Sequence, residues 1–221
     1  MADAVIFDVD GVLVDSYRAH LESWRRLGLE HGLVITEAQF AGTFGKTSRD
    51  IIERFWGGDG LDEPGIRELD EQKEALYREL VRDAFPAMEG ARELIDALHA
   101  AGLALAVGSS GPPENVDLAL RRLGRPALFA ARVSGHDVTR GKPDPQVFLL
   151  AAERLGLEPR RCAVIEDAPD GVRAARRAGM AAVALVSTGR TREELLAVRP
   201  DRIVASLREL TPPGIRALIA P

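Results

Sequence analysis

Four short runs of mostly apolar residues punctuate the chain: AVIFDV (4–9), LALAVGSS (103–110), CAVIED (162–167) and AAVALVS (181–187). After the last three the pattern changes to apolar residues three or four apart, in PENVDLALRRLG, PDGVRAARRAGM and REELLAV. Near-continuous apolar strands alternating with amphipathic helices predict an α/β fold, a parallel sheet with helices on both faces. The first strand is different. A long stretch without a convincing strand follows it, with helical patterns at 16–32, 36–43, 47–56 and 64–84 and a break at GGDGLDEPG. A loop of that length is foreign to compact domains, so an inserted α-helical domain is expected. We place the α/β core at 1–15 and 86–221 and the helical insert at 16–85. The chain rejoins the core near FPAMEGARELIDALHAAG (85–102) and ends in a short helix and tail from about Thr211.

Composition narrows the partners. At 221 residues, 46% hydrophobic and 29% charged, the chain can bury a sizeable core and stay soluble. Its formal charge of −5 opposes general nucleic-acid binding, which needs a basic face. The basic runs WRRLG and AARRAG fit the solvated faces of helices. No apolar run reaches the roughly 20 residues that cross a bilayer, and no secretory signal pattern opens the chain, so no membrane partner is expected. The single Cys162 allows no internal disulfide and reads as a buried, inert thiol. A reducing cytoplasm fits these features, and nothing demands more than a monomer.

Polar residues interrupt the apolar runs at particular places. In an open parallel sheet, reactive groups gather beyond the carboxyl ends of the strands. Asp8 and Asp10, Ser109 and Ser110, and Glu166 and Asp167 all fall there. Lys142, in TRGKPDP, precedes a proline that keeps it extended. Asp144 is the expected N-cap of the next helix, with Pro145 at its first position. Four carboxylates converging on one point repel strongly. A hard divalent cation such as Mg²⁺ resolves this, because it takes oxygen ligands and keeps waters and a substrate phosphate. Metal and Lys142 leave a locally positive hole, where Ser109 and the backbone N–H groups of GSSG can donate to phosphoryl oxygens.

The chemistry follows from that hole. Asp8 could attack phosphorus and form an aspartyl-phosphate, with the charge offset by metal and lysine. Asp10 points away from Asp8 in an ideal strand, but reaches the site if the chain turns at Gly11. It could then protonate the departing alkoxide and deprotonate the water that cleaves the intermediate. Taken singly, a D-x-D turn, a KPDP helix start or an ED cap is ordinary structure. Their joint occurrence at strand ends points to an active site.

In this order, FDVDGVLVDS, VGSS, GKPDPQVF and VIEDAPDGVRAARRAGM resemble the four motifs of the haloacid dehalogenase superfamily, closest to its phosphatase and phosphomutase branch. The resemblance covers the whole chain and implies a Rossmann-like core with a helical cap domain. It implies that Asp8 is the nucleophile and Asp10 the acid/base, with Ser109 and Lys142 binding phosphate; Ser110 is a further phosphate-binding candidate. Mg²⁺ would be held by Asp8, the Asp10 carbonyl and Asp167, with Glu166 assisting. The family's dehalogenases lack the second aspartate, so Asp10 argues against displacement of halide.

The insert carries polar residues where its helices should be apolar. His20 and Trp24 share a helix face, and Lys73 interrupts the stripe Ile66, Leu69, Leu76, Leu80. The bland reading packs His20 with its hydrogen bonds satisfied and lets Lys73 snorkel to water. The resemblance implies instead that His20, Trp24, Arg49 and Lys73 face the substrate, as the β-phosphoglucomutase cap residues do, with the arginine gripping a second phosphate. Beyond the motif serine, however, SSGPPEN replaces the mutase's polar contacts, and its prolines remove donors. Asn115 is the replacement on offer. The leading reading is a Mg²⁺-dependent phosphatase acting on a small phosphorylated metabolite, a sugar phosphate first. The alternatives are a β-phosphoglucomutase-type mutase using the same intermediate, and a non-catalytic phosphosugar-binding protein. No reacting residue is missing, which disfavours the last.

Overall fold

The computed structural model describes residues 3–44, 46–57 and 61–219. The chain divides into two compact units, Met1–Asp15 with Ala87–Pro221, and Ser16–Pro86. The first is built on six parallel strands: β1 (Ala4–Phe7), β2 (Ala104–Gly108), β3 (Phe129–Val133), β4 (Cys162–Glu166), β5 (Ala181–Leu185) and β6 (Arg202–Val204). Their spatial order is β3-β2-β1-β4-β5-β6. The four predicted strands form the centre of this sheet. β1 is buried throughout, as a strand covered on both faces must be.

The two edge strands carry no continuous apolar run. β3 alternates buried and exposed residues, with Ala130 and Arg132 outward, and β6 is only Arg-Ile-Val. An edge strand can leave one face wet, and its residues then read as loop or helix. From β1 the chain moves outward through β2 and β3, then returns to β4 on the other side of β1. This reversal puts a topological switch point between β1 and β4, where ligands of parallel sheets usually bind. Phe7 lies opposite both Val107 and Ile165, so the ends of β1, β2 and β4 are level.

The second unit is helical: α1 (Tyr17–Glu30), α2 (Glu37–Ala41), α3 (Ser48–Trp56) and α4 (Glu63–Asp83). Capping boxes at Thr36/Gln39 and Thr47/Asp50 start α2 and α3, and Asp62 accepts the Gly65 amide at the start of α4. The predicted break at GGDGLDEPG separates α3 from α4, and its residues 58–60 lie outside the described residues. Tyr17, Leu21, Trp24, Leu27, Phe40, Ile52 and Leu69 form this unit's own core. Each such side chain contributes roughly 1.5–3 kcal/mol through burial.

Six further helices belong to the α/β unit: α5 (Ala91–Ala100), α6 (Pro113–Leu123), α7 (Gln146–Leu155), α8 (Pro169–Arg177), α9 (Arg192–Leu196) and α10 (Pro212–Arg216). One predicted cap is displaced. Pro145 is the N-cap residue of α7, and Asp144 stands one place earlier, where its carboxylate accepts the Gln146 amide at 3.0 Å. Proline has no side-chain acceptor, so the aspartate caps from outside. Cys162 is fully buried in β4, and burial pushes its thiol up to about 11, as an inert cysteine requires. Among the described residues no helix is long and apolar enough to cross a membrane.

Candidate active site

β1 stops at Phe7, and the Asp8 amide still donates to Ile165 O at 3.0 Å. The chain then turns, with Val9 O accepting the amides of Val12, Leu13 and Val14. Gly11 has φ +76°, and a β-carbon there would fall 2.0 Å from Asp167 Oδ2. Both the turn and the close approach of Asp167 therefore require glycine. Asp8 is left 7% exposed at the switch point.

Lys142 reaches into the same spot. Its Nζ donates to Asp8 Oδ1 and Glu166 Oε1, each at 2.7 Å, and to Gly108 O at 3.1 Å. Glu166 Oε2 accepts the amides of Asp167 and Ala168, both at 2.8 Å, just before α8. Gly171 makes room for this, since a β-carbon there would lie 1.8 Å from Glu166 Oε1. Asp167 Oδ2 accepts the Ser187 hydroxyl at 2.7 Å. One carboxylate oxygen from each of Asp8, Glu166 and Asp167 lies within 4.8 Å of the others.

A second group surrounds Gly111, beyond β2. The point where its β-carbon would sit is 3.4 Å from Ser109 Oγ, 3.7 Å from Asp10 Oδ2 and 4.0 Å from Asn115 Nδ2. The turn at Gly11 thus carries the Asp10 carboxylate to the end of β2. Ser109 is buried, and its Oγ accepts the Gly111 amide at 3.0 Å. Ser110 is exposed, and its carbonyl is packed so tightly on Gly135 that a β-carbon there would come within 2.3 Å.

The charges are deliberately out of balance. With all three clustered carboxylates ionised, Lys142 and the charge of Arg190 do not balance them, and negative charge is left over. Burial raises the Asp8 carboxyl well above its usual range; Lys142 opposes this, while Glu166, Asp167 and Asp10 add to it. Burial and then Glu166 push Asp167 up to about 7, against Arg190, the Ser187 hydrogen bond and Lys142. Burial alone would lower Lys142, but Asp8 and Glu166 outweigh it and the ammonium is held charged. Buried oxygen donors with surplus negative charge fit a hard divalent cation.

The residues singled out in the helical unit form a different kind of cluster. Lys73 does not snorkel to water. It is 3% exposed, with Nζ 2.6 Å from Glu74 Oε1 and 2.9 Å from His20 Nδ1. The ammonium lies 5.3 Å from the Trp24 ring centroid and 5.5 Å from that of Tyr77, within cation–π range. His20 stacks on Tyr77 with centroids 4.1 Å apart. Arg49 stands apart on a half-exposed face, in a two-pronged pair with Glu63 at 2.9 and 2.6 Å and with Glu53 at 3.5 Å.

Sequence reasoning missed Glu74, Tyr77, Ser187 and Arg190. Ser187 alone left a usable signal, since it ends the apolar run of β5 as Ser109 ends that of β2. Its turn also brings Arg190 close enough for its charge to act on Asp167.

The arrangement has close relatives. The chain is 32% identical over 219 residues to a phosphorylated carbohydrates phosphatase of Thermotoga maritima, covering 94% of this chain and 99% of that protein. It is 32% identical over 240 residues to a β-phosphoglucomutase of Mycobacterium bovis, covering 94% and 90%. A variant of CbbY from Rhodobacter sphaeroides, solved with xylulose 1,5-bisphosphate, superposes with a TM-score of 0.88 at 25% identity over 97% of this chain and 99% of that one. The family model for haloacid dehalogenase-like hydrolases matches residues 2–179, which span β1 with its aspartates, the helical unit, Lys142 and the end of β4. On that match, and on the order in which the sheet gathers these residues, the chain belongs to the haloacid dehalogenase-like hydrolase family.

Proposed function

We propose that this protein is a phosphatase that hydrolyses a small phosphorylated metabolite, a sugar or polyol monophosphate, through a phosphoryl group carried on Asp8. The observation that carries the reading is the buried cluster of Asp8, Lys142, Glu166 and Asp167 beside Asp10 and Ser109. In this reading Asp8, the Asp10 carbonyl and Asp167 would hold Mg²⁺ with Glu166 behind them. The cation supplies the positive charge that keeps the carboxylates ionised and offsets that of the phosphoryl group. The remaining steps belong to side chains. Lys142 draws a phosphoryl oxygen toward Asp8, and Ser109 donates a hydrogen bond to another. Asp8 forms a bond to phosphorus as the bond to the substrate oxygen breaks, and Asp10 gives that oxygen its proton. Asp10 then takes a proton from water, which attacks phosphorus and releases phosphate and free Asp8.

Within the helical unit, both candidate cations for a second phosphate already face carboxylates: Lys73 faces Glu74, and Arg49 faces Glu63. That supports a monophosphate substrate. The phosphomutase reading is kept because a β-phosphoglucomutase shares the same 32% identity with this chain as the Thermotoga maritima phosphatase does. Phosphorus NMR of the protein with Mg²⁺, β-glucose 1-phosphate and a trace of glucose 1,6-bisphosphate separates the two, with Asp8→Asn as control. We expect inorganic phosphate from this mixture or from a panel of sugar and hexitol monophosphates. Glucose 6-phosphate accumulating without inorganic phosphate would establish the mutase instead.

A further inference from the structure

Ser187 lies just past β5, which pairs with the strand that carries Glu166. It is 9% exposed, and its Oγ donates to Oδ2 of the 3%-exposed Asp167 at 2.7 Å. That same oxygen rests against the Gly11 backbone, where a β-carbon would come within 2.0 Å. Rotation of the carboxylate would break the hydrogen bond and run into the turn. Ser187 is itself fixed, because Arg190 N donates to Ser187 O at 3.1 Å and Val186 N donates to Val204 O at 2.9 Å.

The rest of the cluster follows the same pattern. Asp8 Oδ1 is engaged by Lys142, and both oxygens of Glu166 are engaged, one by Lys142 and one by two amides. The carboxylates flanking the site therefore have single oxygens to offer, Asp8 Oδ2 and Asp167 Oδ1. Mg²⁺ takes one oxygen from each ligand in a tight octahedron, whereas Ca²⁺ is larger and readily takes both oxygens of a carboxylate.

We infer that Ser187 is a positioning residue that commits Asp167 to presenting one oxygen, and so makes the site prefer Mg²⁺ over Ca²⁺. The inference rests on the cation site proposed above. Removing the hydroxyl frees Oδ2, which relaxes the orientation that Mg²⁺ needs and opens the two-oxygen mode that suits Ca²⁺.

Calorimetric titration of the full chain with Mg²⁺ and with Ca²⁺, without substrate, tests it. Ser187→Ala should weaken Mg²⁺ binding roughly ten-fold or more, the usual effect of losing a partner behind a metal ligand. Ca²⁺ binding should change by less than about three-fold, since its coordination is adaptable. Ser187→Thr keeps the hydroxyl and should keep the wild-type ratio. Ser187→Cys, a weaker donor, should give an intermediate ratio and carries the test if the alanine variant does not fold. Equal losses for both cations, no loss, or a threonine variant behaving like alanine would overturn the role of Ser187 and leave the cation site standing. A wild-type protein that binds neither cation would overturn the site and this inference together.

Discussion

Each unit of this protein buries a lysine, and the two are handled in opposite ways. Lys142, in the α/β unit, sits between Asp8 and Glu166 with Asp167 close by, so negative charge is left over. Lys73, in the helical unit, meets one carboxylate, one imidazole nitrogen and two aromatic faces, and the charges cancel. A buried lysine is therefore no signature of a site. The balance around it is. Where charge cancels, the cluster can simply be structure; where it does not, something positive is wanted from outside.

The two lysine clusters should differ most at Asp8. Asp8→Asn keeps the shape and removes both the nucleophile and part of the surplus charge. Phosphatase turnover should fall roughly 10⁴-fold or more, while the thermal midpoint in EDTA holds or rises. A residual rate within ten-fold of wild type would sink the aspartyl-phosphate. Lys142→Met removes the only ammonium of the cluster and should lower kcat/KM roughly 10²–10³-fold. Assays against an aryl phosphate would read this without knowledge of the natural substrate.

The helical unit answers to stability instead. Lys73→Met removes the ammonium that faces the buried Glu74 carboxylate, and should cost about 3–5 kcal/mol in urea unfolding. Pairing it with Glu74→Leu should recover most of that loss, a double-mutant cycle that a merely packed Lys73 would fail. The mildest test uses a pair that is neither surplus nor deeply buried. Asp137 accepts from the Ser134 amide and hydroxyl and from Arg154, chiefly the last, and is held down at about 2. A carboxylate depressed in the folded state stabilises above its unfolded value of about 3.9 and stops doing so as pH falls through its folded value. Asp137→Asn should cost about 1 kcal/mol at pH 7, and the gap should close as pH approaches about 2. A gap that stays constant with pH would show that the charge contributes nothing.

What the sequence made legible follows from where each residue sits. Asp8, Ser109 and Glu166 end apolar runs, and a parallel sheet sends the ends of its strands to one rim. The edge strands β3 and β6 were hidden, because half-wet or three-residue strands make no apolar run. The pairing of Lys73 with Glu74 was hidden for another reason. Helix neighbours one apart point to different sides, so adjacency predicts no contact. Arg49 and Glu63 meet only because α3 and α4 pack together, which periodicity does not reveal.

The central place of β1 also has a consequence for the timing of synthesis. The strand made before the other five pairs Ala4 with Ala104 on one side and with Cys162 on the other. One edge of an entirely apolar strand must wait for β2, and its second edge for β4. Until then it is an open template for pairing with other chains. The helical unit, one uninterrupted stretch of chain, can fold while the strand waits. Asp8, made before Lys142, Glu166 and Asp167, acquires these chemical neighbours only when the later strands arrive.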